Sequence, residues 1–308
     1  MGKIAFVFPG QGAQAVGMGK DAYESSPAAR AIFDEADEAL GYSISKLAFE
    51  GPEEQLRQTA NTQPALLATS VALLEVYKAK GLKPDYVAGH SLGEYSALVA
   101  AGVLAFGDAV KLVRARGQFM EQAVPGGQGA MAAVLGAERE ALQALCAEIT
   151  AGGALVELAN VNCPGQIVVS GSAAGVAAVV EQGKTAGAKR VIPLEVSGPF
   201  HSSLMQPAAD KLAEELGKAE FRDARVPVVA NVHARPVTSG AEIRDLLVKQ
   251  VVSPVQWEDT ILYLIGEGVD TFVEIGSGTV LAGLVRKIDK SAQVLSVNNA
   301  AAAEATAQ

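Results

Sequence analysis

A serine between two glycines is the residue of this chain best placed to do chemistry. The pentapeptide Gly89-His90-Ser91-Leu92-Gly93 follows an apolar run at 86–88 and precedes a helix-forming stretch at 94–101. A G-x-S-x-G sequence between a strand and a helix is typical of a nucleophile elbow, a sharp turn that exposes the serine hydroxyl. The following helix would present backbone N–H groups and its positive dipole end to a developing oxyanion. We therefore predict that Ser91 is a nucleophile; the alternative is a glycine-rich turn whose serine has no reactive role.

A serine nucleophile needs a general base, and the chain has three histidines. His90 adjoins the serine, but neighbouring side chains on an elbow point in different directions, so a structural role under the turn is expected. His233 follows a predicted strand and fits either a surface loop or a pocket wall. His201 lies in Ser197-Gly198-Pro199-Phe200-His201-Ser202. This segment joins a predicted inserted domain to the rest of the chain, and clefts form at such junctions. We predict that His201 is the base.

The third member of a catalytic triad is not evident from the sequence. The acidic residues Asp108, Glu157 and Glu195 each have a plausible surface explanation. A backbone or amide carbonyl can also hold the histidine tautomer, because it accepts a hydrogen bond from the ring N–H. We therefore predict a Ser–His dyad whose histidine is oriented by a carbonyl.

One series of predicted strands and helices covers the N-terminal and C-terminal parts of the chain and is interrupted by a second, different series. The first series has strands at 3–8, 86–88, 226–230 and 271–275, and helices at 27–40, 62–80, 106–124, 241–251, 257–267 and 281–288. Pro64 is tolerable in the first turn of its predicted helix. The tail at 300–308 has low complexity and is predicted to be frayed.

The second series follows the glycine cluster at 125–129, which is typical of a linker. Its elements run β-α-β-β-α-β, with strands at 130–135, 155–161, 166–170 and 189–194 and helices at 138–149 and 173–185. This is the order of a ferredoxin-like unit, whose first and last strands end near each other and so permit insertion into another domain. We predict an α/β fold. A large α/β-hydrolase-like domain with a central, mostly parallel sheet comprises residues 1–126 and 196–308, and a small ferredoxin-like domain comprises 127–195.

Composition narrows the class of protein. The chain of 308 residues is 49% hydrophobic and 19% charged, as globular proteins are. Its net charge of −9 argues against nucleic acid and anionic membranes as partners. Two cysteines, Cys146 and Cys163, give no disulfide framework and suit a reducing compartment. Without a membrane-spanning apolar run or a signal peptide in the sequence, we expect a soluble cytoplasmic enzyme.

Several motifs occur together in an order that resembles a known family. In chain order they are Gln11-Gly12-Ala13-Gln14, Thr62-Gln63-Pro64-Ala65-Leu66, Gly89-His90-Ser91-Leu92-Gly93-Glu94, Arg116-Gly117, Asn162 before Pro164-Gly165-Gln166, Pro199-Phe200-His201-Ser202 and Glu274-Ile275-Gly276-Ser277-Gly278. From end to end the set resembles the malonyl-CoA:acyl carrier protein transacylases, acyltransferases of fatty acid and polyketide synthesis. The resemblance implies transfer of a malonyl group from malonyl-CoA to the phosphopantetheine thiol of acyl carrier protein, without a metal or redox cofactor. We expect a monomer.

The resemblance assigns the main roles in that reaction. It makes Ser91 the carrier of the malonyl ester, His201 its general base and acid, and Arg116 the ligand of the malonyl carboxylate. A guanidinium binds a carboxylate through two parallel charge-assisted hydrogen bonds, which lysine cannot reproduce. Without the resemblance, Arg116 could equally be a solvated helix residue like Arg114. Positions two apart on a helix face different ways, so only one of these arginines should reach the pocket.

Supporting roles also follow from the resemblance. The backbone N–H groups of Gln11 and Leu92 form the oxyanion hole, and for Leu92 the elbow geometry makes the same prediction. The backbone carbonyl of Gln250 orients the histidine, although an ordinary helix C-terminal residue is the alternative. Asn162 faces the substrate, with a turn residue as the alternative. Phe200 resembles the residue found before the histidine in malonyl-selective acyltransferases.

Two further expectations concern a thiol and a partner. Cys163 stands where family members often carry serine; it is expected to be a small buried thiol and not a second nucleophile. Because acyl carrier protein is acidic, basic residues should lie near the pocket mouth. The candidates are Lys189, Arg190 and Lys287.

Three other functions remain open at this stage. A serine esterase or lipase of the α/β-hydrolase class would place its histidine late, after an acid, and would carry an HGGG-type oxyanion loop, a motif that the sequence lacks. A non-catalytic docking subunit would have no need of Ser91, His201 and Arg116. An acyltransferase for a different acyl group would differ at Arg116.

Overall fold

The computed structural model describes residues 2–306 as two β-sheets flanked by helices. The strands are β1 (Lys3–Phe8), β2 (Tyr86–Gly89), β3 (Gly129–Leu135), β4 (Val156–Cys163), β5 (Gln166–Ser172), β6 (Arg190–Pro193), β7 (Val228–Val229), β8 (Pro236–Val237), β9 (Val255–Gln256), β10 (Val269–Ile275) and β11 (Gln293–Val297). The helices are α1 (Lys20–Ser25), α2 (Pro27–Leu40), α3 (Ile44–Glu50), α4 (Glu53–Arg57), α5 (Thr59–Lys78), α6 (Gly93–Ala100), α7 (Phe106–Gln122), α8 (Arg139–Ala151), α9 (Ala173–Gln182), α10 (Gln206–Leu216), α11 (Gly240–Gln250), α12 (Trp257–Gly266), α13 (Val280–Ile288) and α14 (Ala300–Ala305). Within this part of the chain, no helix is both long enough and apolar enough to cross a membrane.

The larger sheet has the strand order β11-β10-β1-β2-β7-β8 and is parallel except for β8. Alternate residues of β1 enter different hydrophobic clusters: Phe6 and Phe8 pack in one, Ala5 and Val7 in another. Parallel strands are covered by helices on both faces, which explains their continuous apolar runs. The predicted α/β fold with a mostly parallel central sheet is confirmed.

The smaller sheet has the order β6-β3-β5-β4-β9, and its first four strands are antiparallel. Together with α8 and α9, these strands follow the chain order β-α-β-β-α-β. Strand β9 comes from a later part of the chain and extends the sheet by pairing in parallel with β4. The smaller sheet is therefore joined by hydrogen bonds to a segment outside the predicted range 127–195. The proposed domain limits themselves stay a prediction.

The loops after β1 and β2 meet at one edge of the larger sheet. Phe8 pairs with Gly89 at the ends of these adjacent parallel strands, and the His90 N–H donates to the Phe8 carbonyl at 3.0 Å. In open α/β sheets the carboxyl ends of parallel strands are the usual place for a ligand. The elbow and the Pro9–Ala13 loop therefore share one location.

Pro64 lies in a different part of its helix from the one predicted. Helix α5 begins at Thr59, so Pro64 is inside it and not in its first turn. A proline there removes the hydrogen bond to the carbonyl four residues earlier. That carbonyl belongs to Ala60, and it accepts instead from Arg114 Nη1 at 2.8 Å. A side chain of another helix thus satisfies the group that proline leaves unpaired.

The prediction of a frayed tail is wrong for residues 300–305, which form α14. The Asn299 side chain accepts a hydrogen bond from the Ala302 N–H at 2.7 Å and caps the helix. Ala303 is fully buried in the main hydrophobic cluster. The cap and the buried alanine both favour a short helix that low complexity does not predict. Residues 307 and 308, which also belong to that prediction, lie outside the described residues.

Besides α14, several elements were not predicted, and one predicted strand is much shorter in the structure. Helices α1, α3, α4 and α10 and strands β8, β9 and β11 are the additional elements. The strand expected at 226–230 is reduced to Val228–Val229. Only α10 carries a clear signal, because Ala208, Leu212 and Leu216 are buried at four-residue intervals.

Candidate active site

The pentapeptide around Ser91 forms a sharp turn that its glycines make feasible. Ser91 itself has φ 53°, in the left-handed region. A Cβ on Gly89 would lie 1.9 Å from the Gly93 backbone, and one on Gly93 would lie 2.1 Å from the Phe8 carbonyl oxygen. Neither position can hold a side chain without moving the backbone. The turn therefore presents Ser91 at the C-terminal edge of β2, as the G-x-S-x-G pattern predicts.

Ser91 and His201 form a hydrogen-bonded pair. The distance from Ser91 Oγ to His201 Nε2 is 2.7 Å. On the other side of the ring, Nδ1 donates to the backbone carbonyls of Gln250 at 2.9 Å and Ser253 at 3.2 Å. A proton on Nδ1 leaves Nε2 free to accept the serine proton. The structure thus places carbonyls where a triad has a carboxylate.

The charge state of His201 also suits a base. The side chain is 4% exposed, and burial together with the Arg116 charge lowers the pKa of His201 to about 3. The imidazole is therefore neutral at physiological pH and can accept a proton.

Arg116 is a buried cation with only neutral partners. It donates from Nη1 to Gln63 Oε1 at 2.8 Å, and from Nη2 to Gln250 Oε1 at 3.0 Å and to Ser91 Oγ at 3.2 Å. Its Nε has no hydrogen-bond partner in residues 2–306, and no carboxylate among them lies within ion-pair distance of the guanidinium. The guanidinium lies 5.6 Å from the centre of the Tyr95 ring. A buried guanidinium without a counterion at contact distance favours the binding of an anionic group beside Ser91.

Close helix packing carries Arg116 to this place. A Cβ on Gly117 would lie 2.7 Å from Ala60 Cα, so the glycine lets α7 approach the backbone of α5. Arg114 faces another way, donating from Nη1 to the Ala60 carbonyl and to Asn61 Oδ1. Of the two arginines on this helix, only Arg116 reaches the serine.

The two predicted oxyanion donors lie on loops that touch. A Cβ on Gly10 would lie 2.2 Å from the His90 carbonyl oxygen, so the backbones of the two loops are in contact. Among the described residues, no acceptor takes a hydrogen bond from the backbone N–H of Gln11 or of Leu92. The Gln11 side chain is held by Thr59 Oγ1 at 3.1 Å. That these N–H groups bind an oxyanion stays a prediction.

A cavity of about 260 Å³ opens beside Ser91 and His201 between the two sheets. Asn162 and Phe200, both predicted to face the substrate, line it. Asn162 uses its Oδ1 to accept from His90 Nε2 at 2.8 Å, so it also holds the residue next to the nucleophile. The structure brings together all the residues predicted for the site.

The remaining candidates make contacts that do not involve the reacting atoms. The His90 ring packs 5.5 Å from the Trp257 ring, as a structural residue under the turn would. Cys163 is buried outside the cavity lining, and burial raises the pKa of its thiol. His233 Nδ1 accepts a hydrogen bond from the Arg235 N–H at 3.1 Å. None of these three side chains is positioned to act on an acyl group at Ser91.

A buried polar network beneath the elbow was missed by sequence reasoning. Glu94 is 2% exposed, and its Oε2 accepts from Gln250 Nε2 at 2.8 Å and from the Asn231 N–H at 3.1 Å. Asn231 Oδ1 in turn accepts from the Ser91 N–H at 2.8 Å. The available signal was Glu94 itself, the one charged residue of the largely buried helix α6. A lone charge on a buried helix needs a partner.

Comparison with known proteins covers nearly the whole chain. Residues 5–305 match the acyl transferase domain family. The malonyl CoA-acyl carrier protein transacylase of Bacillus subtilis (strain 168) is 57% identical over 97% of this chain and 94% of its own length. An acyl carrier protein S-malonyltransferase from Vibrio cholerae shares 47% identity over 99% of both chains, with a TM-score of 0.96. A malonyl-transacylase solved in complex with a type II polyketide synthase acyl carrier protein shares 45% identity over 98% of both chains, with a TM-score of 0.95.

Proposed function

Because the chain belongs to the acyl transferase family, and within it to the malonyl CoA-acyl carrier protein transacylases, we propose that Ser91 carries a malonyl group from malonyl-CoA to acyl carrier protein. One observation carries the mechanism: the Ser91 hydroxyl lies 2.7 Å from the His201 base and 3.2 Å from the buried Arg116 guanidinium. A nucleophile beside a cation that makes no direct ion pair suits an acyl group that ends in a carboxylate.

In the first half-reaction, His201 Nε2 accepts the Ser91 proton as Oγ attacks the thioester carbonyl of malonyl-CoA. The N–H groups of Gln11 and Leu92 donate to the oxyanion of the tetrahedral intermediate. The intermediate then expels the coenzyme A thiolate, which takes the proton from His201. The product is a malonyl ester on Ser91.

In the second half-reaction, His201 accepts the proton of the phosphopantetheine thiol of acyl carrier protein. The thiolate attacks the ester, the same donors stabilise the second oxyanion, and Ser91 Oγ leaves and recovers its proton. One thioester replaces another, so the reaction is near balance and reversible. The chain supplies the nucleophile, base and donors, and the proposal therefore includes no metal or redox cofactor.

The malonyl carboxylate does more than identify the substrate in this scheme. The positive charge of Arg116 contributes to the low pKa of His201. When the carboxylate binds Arg116, it offsets that part of the lowering, while burial, the larger cause, still holds the pKa of His201 well below its ordinary value. The base thus becomes stronger when the correct acyl group is in place.

A cytoplasmic location and a monomeric state remain predictions from the sequence.

Transfer to the carrier tests this function directly. Holo acyl carrier protein incubated with malonyl-CoA and the enzyme should gain one malonyl group, measured by intact mass of the carrier. The Ser91→Ala enzyme should give no gain above the enzyme-free reaction. Equal transfer by both enzymes would contradict a Ser91 intermediate.

The pH dependence of acylation should reflect the low pKa of His201. Since the base becomes protonated only near pH 3, kcat/KM for malonyl-enzyme formation should not fall as pH is lowered from about 8 to about 5. The measurement is the rate of Ser91 acylation at low malonyl-CoA concentration across that range. A loss of about tenfold per pH unit below pH 6.5 would show that His201 titrates at its ordinary pKa.

Three basic side chains are proposed to receive the acidic carrier at the mouth of the site. Arg190 and Gln166 both pair with Leu135, on either side of β3, and Lys287 Nζ donates to Gln166 Oε1 at 3.3 Å. Lys189 precedes Arg190 and is exposed. Gln166 lines the cavity, so Arg190 and Lys287 lie near the cavity at one end of the smaller sheet.

Charge reversal at that rim should weaken carrier binding. The Lys287→Glu variant should raise KM for acyl carrier protein by about 3- to 10-fold, because rim charges mainly affect the association rate. The exposed Lys218, whose Nζ pairs with Glu215 on α10, offers Lys218→Glu as a control that should leave this KM unchanged. An unchanged KM for the carrier in Lys287→Glu would place the docking surface elsewhere.

A further inference from the structure

Glu94 is a buried carboxyl group to which the proposed mechanism gives no role. It lies on α6, directly below the nucleophile, and its two hydrogen bonds both go to Oε2. The donors are the Gln250 side-chain amide and the Asn231 N–H. An ionised carboxylate removed from water needs compensation by a cation or by several donors.

The nearest compensating charge is Arg116, and one amide group connects the two. Gln250 Nε2 donates to Glu94, while Gln250 Oε1 accepts from Arg116 Nη2 at 3.0 Å. Within residues 2–306 the two charged groups form no direct ion pair. Tyr95 and His201 are the other titratable groups near this pair. The pKa of Tyr95 is raised above its usual value and that of His201 is lowered, so both are neutral at physiological pH.

We propose that Glu94 is the counterion of Arg116 in the free enzyme, and that Glu94 takes up one proton from bulk water when the malonyl carboxylate binds Arg116. This inference rests on the proposed function. Two carboxylates around one buried guanidinium would leave an excess negative charge among buried groups, and protonation of one carboxyl group removes it. The proton adds to a carboxylate oxygen of Glu94, and it returns to water when malonyl leaves on the carrier.

The titration behaviour of Glu94 makes this exchange accessible near neutral pH. Burial raises the pKa of Glu94 to about 7, against the lowering effects of its two hydrogen bonds and of Arg116. A second anion at Arg116 raises the pKa further. Because binding then consumes a proton, the Kd for malonyl-CoA should rise with pH above about 7, approaching tenfold per unit.

Calorimetry of the Ser91→Ala enzyme tests the inference, because this variant binds the thioester without reacting. Binding heats measured in buffers of different ionisation enthalpy give the number of protons exchanged. At about pH 8 we expect malonyl-CoA to bind with uptake of about one proton, and at about pH 6 with about one tenth of that. Acetyl-CoA has the same coenzyme A portion but no acyl carboxylate, and its binding should consume none at either pH.

Two substitutions in the Ser91→Ala background assign the proton to its site. Glu94→Gln should abolish the uptake and make the Kd for malonyl-CoA independent of pH, since one amide oxygen can accept both existing hydrogen bonds. Glu274→Gln is the matched control. Glu274 is also fully buried with a pKa raised to about 7, but it accepts hydrogen bonds from the Leu281 and Ala282 N–H groups. This control should leave the uptake unchanged.

The possible outcomes distinguish failure of the proposed proton exchange from failure of the proposed transferase function. No uptake with malonyl-CoA at pH 8, equal uptake with acetyl-CoA, or uptake that persists in Glu94→Gln would overturn the proton exchange and leave the transferase intact. Failure of the unaltered enzyme to transfer malonyl would overturn the function itself. The comparison of the two thioesters on the Ser91→Ala enzyme decides the inference even if Glu94→Gln does not fold.

Discussion

Replacing Arg116 with alanine is expected to lower kcat/KM for malonyl-CoA by about 10²- to 10⁴-fold and to leave kcat/KM for acetyl-CoA within about tenfold of its original value. The malonyl carboxylate would be buried without a charged partner, whereas an acetyl group needs none. The measurement is the rate of Ser91 acylation by each thioester. The preference of the enzyme for malonyl-CoA over acetyl-CoA should therefore fall, because the malonyl reaction slows and the acetyl reaction does not speed up.

Arg114→Ala is the matched control for this experiment. It removes an arginine from the same helix, but one that donates to Ala60 and Asn61 and not to the site. Both thioesters should react with Arg114→Ala as they do with the original enzyme. Equal losses for malonyl-CoA and acetyl-CoA in Arg116→Ala would mean that Arg116 supports the structure of the site and does not bind the carboxylate.

His201→Ala should lower the rate constant of Ser91 acylation by about 10³- to 10⁶-fold, because the serine proton then has no acceptor. The Kd for malonyl-CoA should change little, since the carboxylate is bound by Arg116. Rapid-quench measurement of the acyl-enzyme gives the rate, and calorimetry gives the affinity.

His233→Ala provides the comparison for His201→Ala, since the His233 ring accepts its hydrogen bond from the backbone of its own loop. It should acylate at the original rate. A His201→Ala enzyme that kept its rate constant but lost affinity would assign His201 to substrate binding instead of proton transfer.

The chemistry of the elbow could be predicted because it is local. Glycines at 89 and 93 are required by contacts of the turn with itself and with the end of β1, and such requirements are visible as a short motif. The long amphipathic helix at 27–40 has the bounds that its helical spacing predicts, and the structure shows local end signals there, a capping Ser26 before it and Gly41 after it. Local patterns determined both features.

The network below the elbow could not be predicted because its hydrogen bonds are long-range. Glu94 bonds to Asn231, 137 residues away, and to Gln250, 156 residues away. No periodicity in the sequence links these positions. The two-residue strand β9 is similar, since it pairs with β4, which is distant in the chain.

The mechanism depends on a malonyl ester on Ser91, and the intact mass of the protein detects that ester. After brief incubation with malonyl-CoA the enzyme should gain the mass of one malonyl group, and addition of holo acyl carrier protein should remove it. Acetyl-CoA should give little adduct, and the Ser91→Ala enzyme none. No adduct with malonyl-CoA, or an adduct that survives loss of Ser91, would contradict the mechanism.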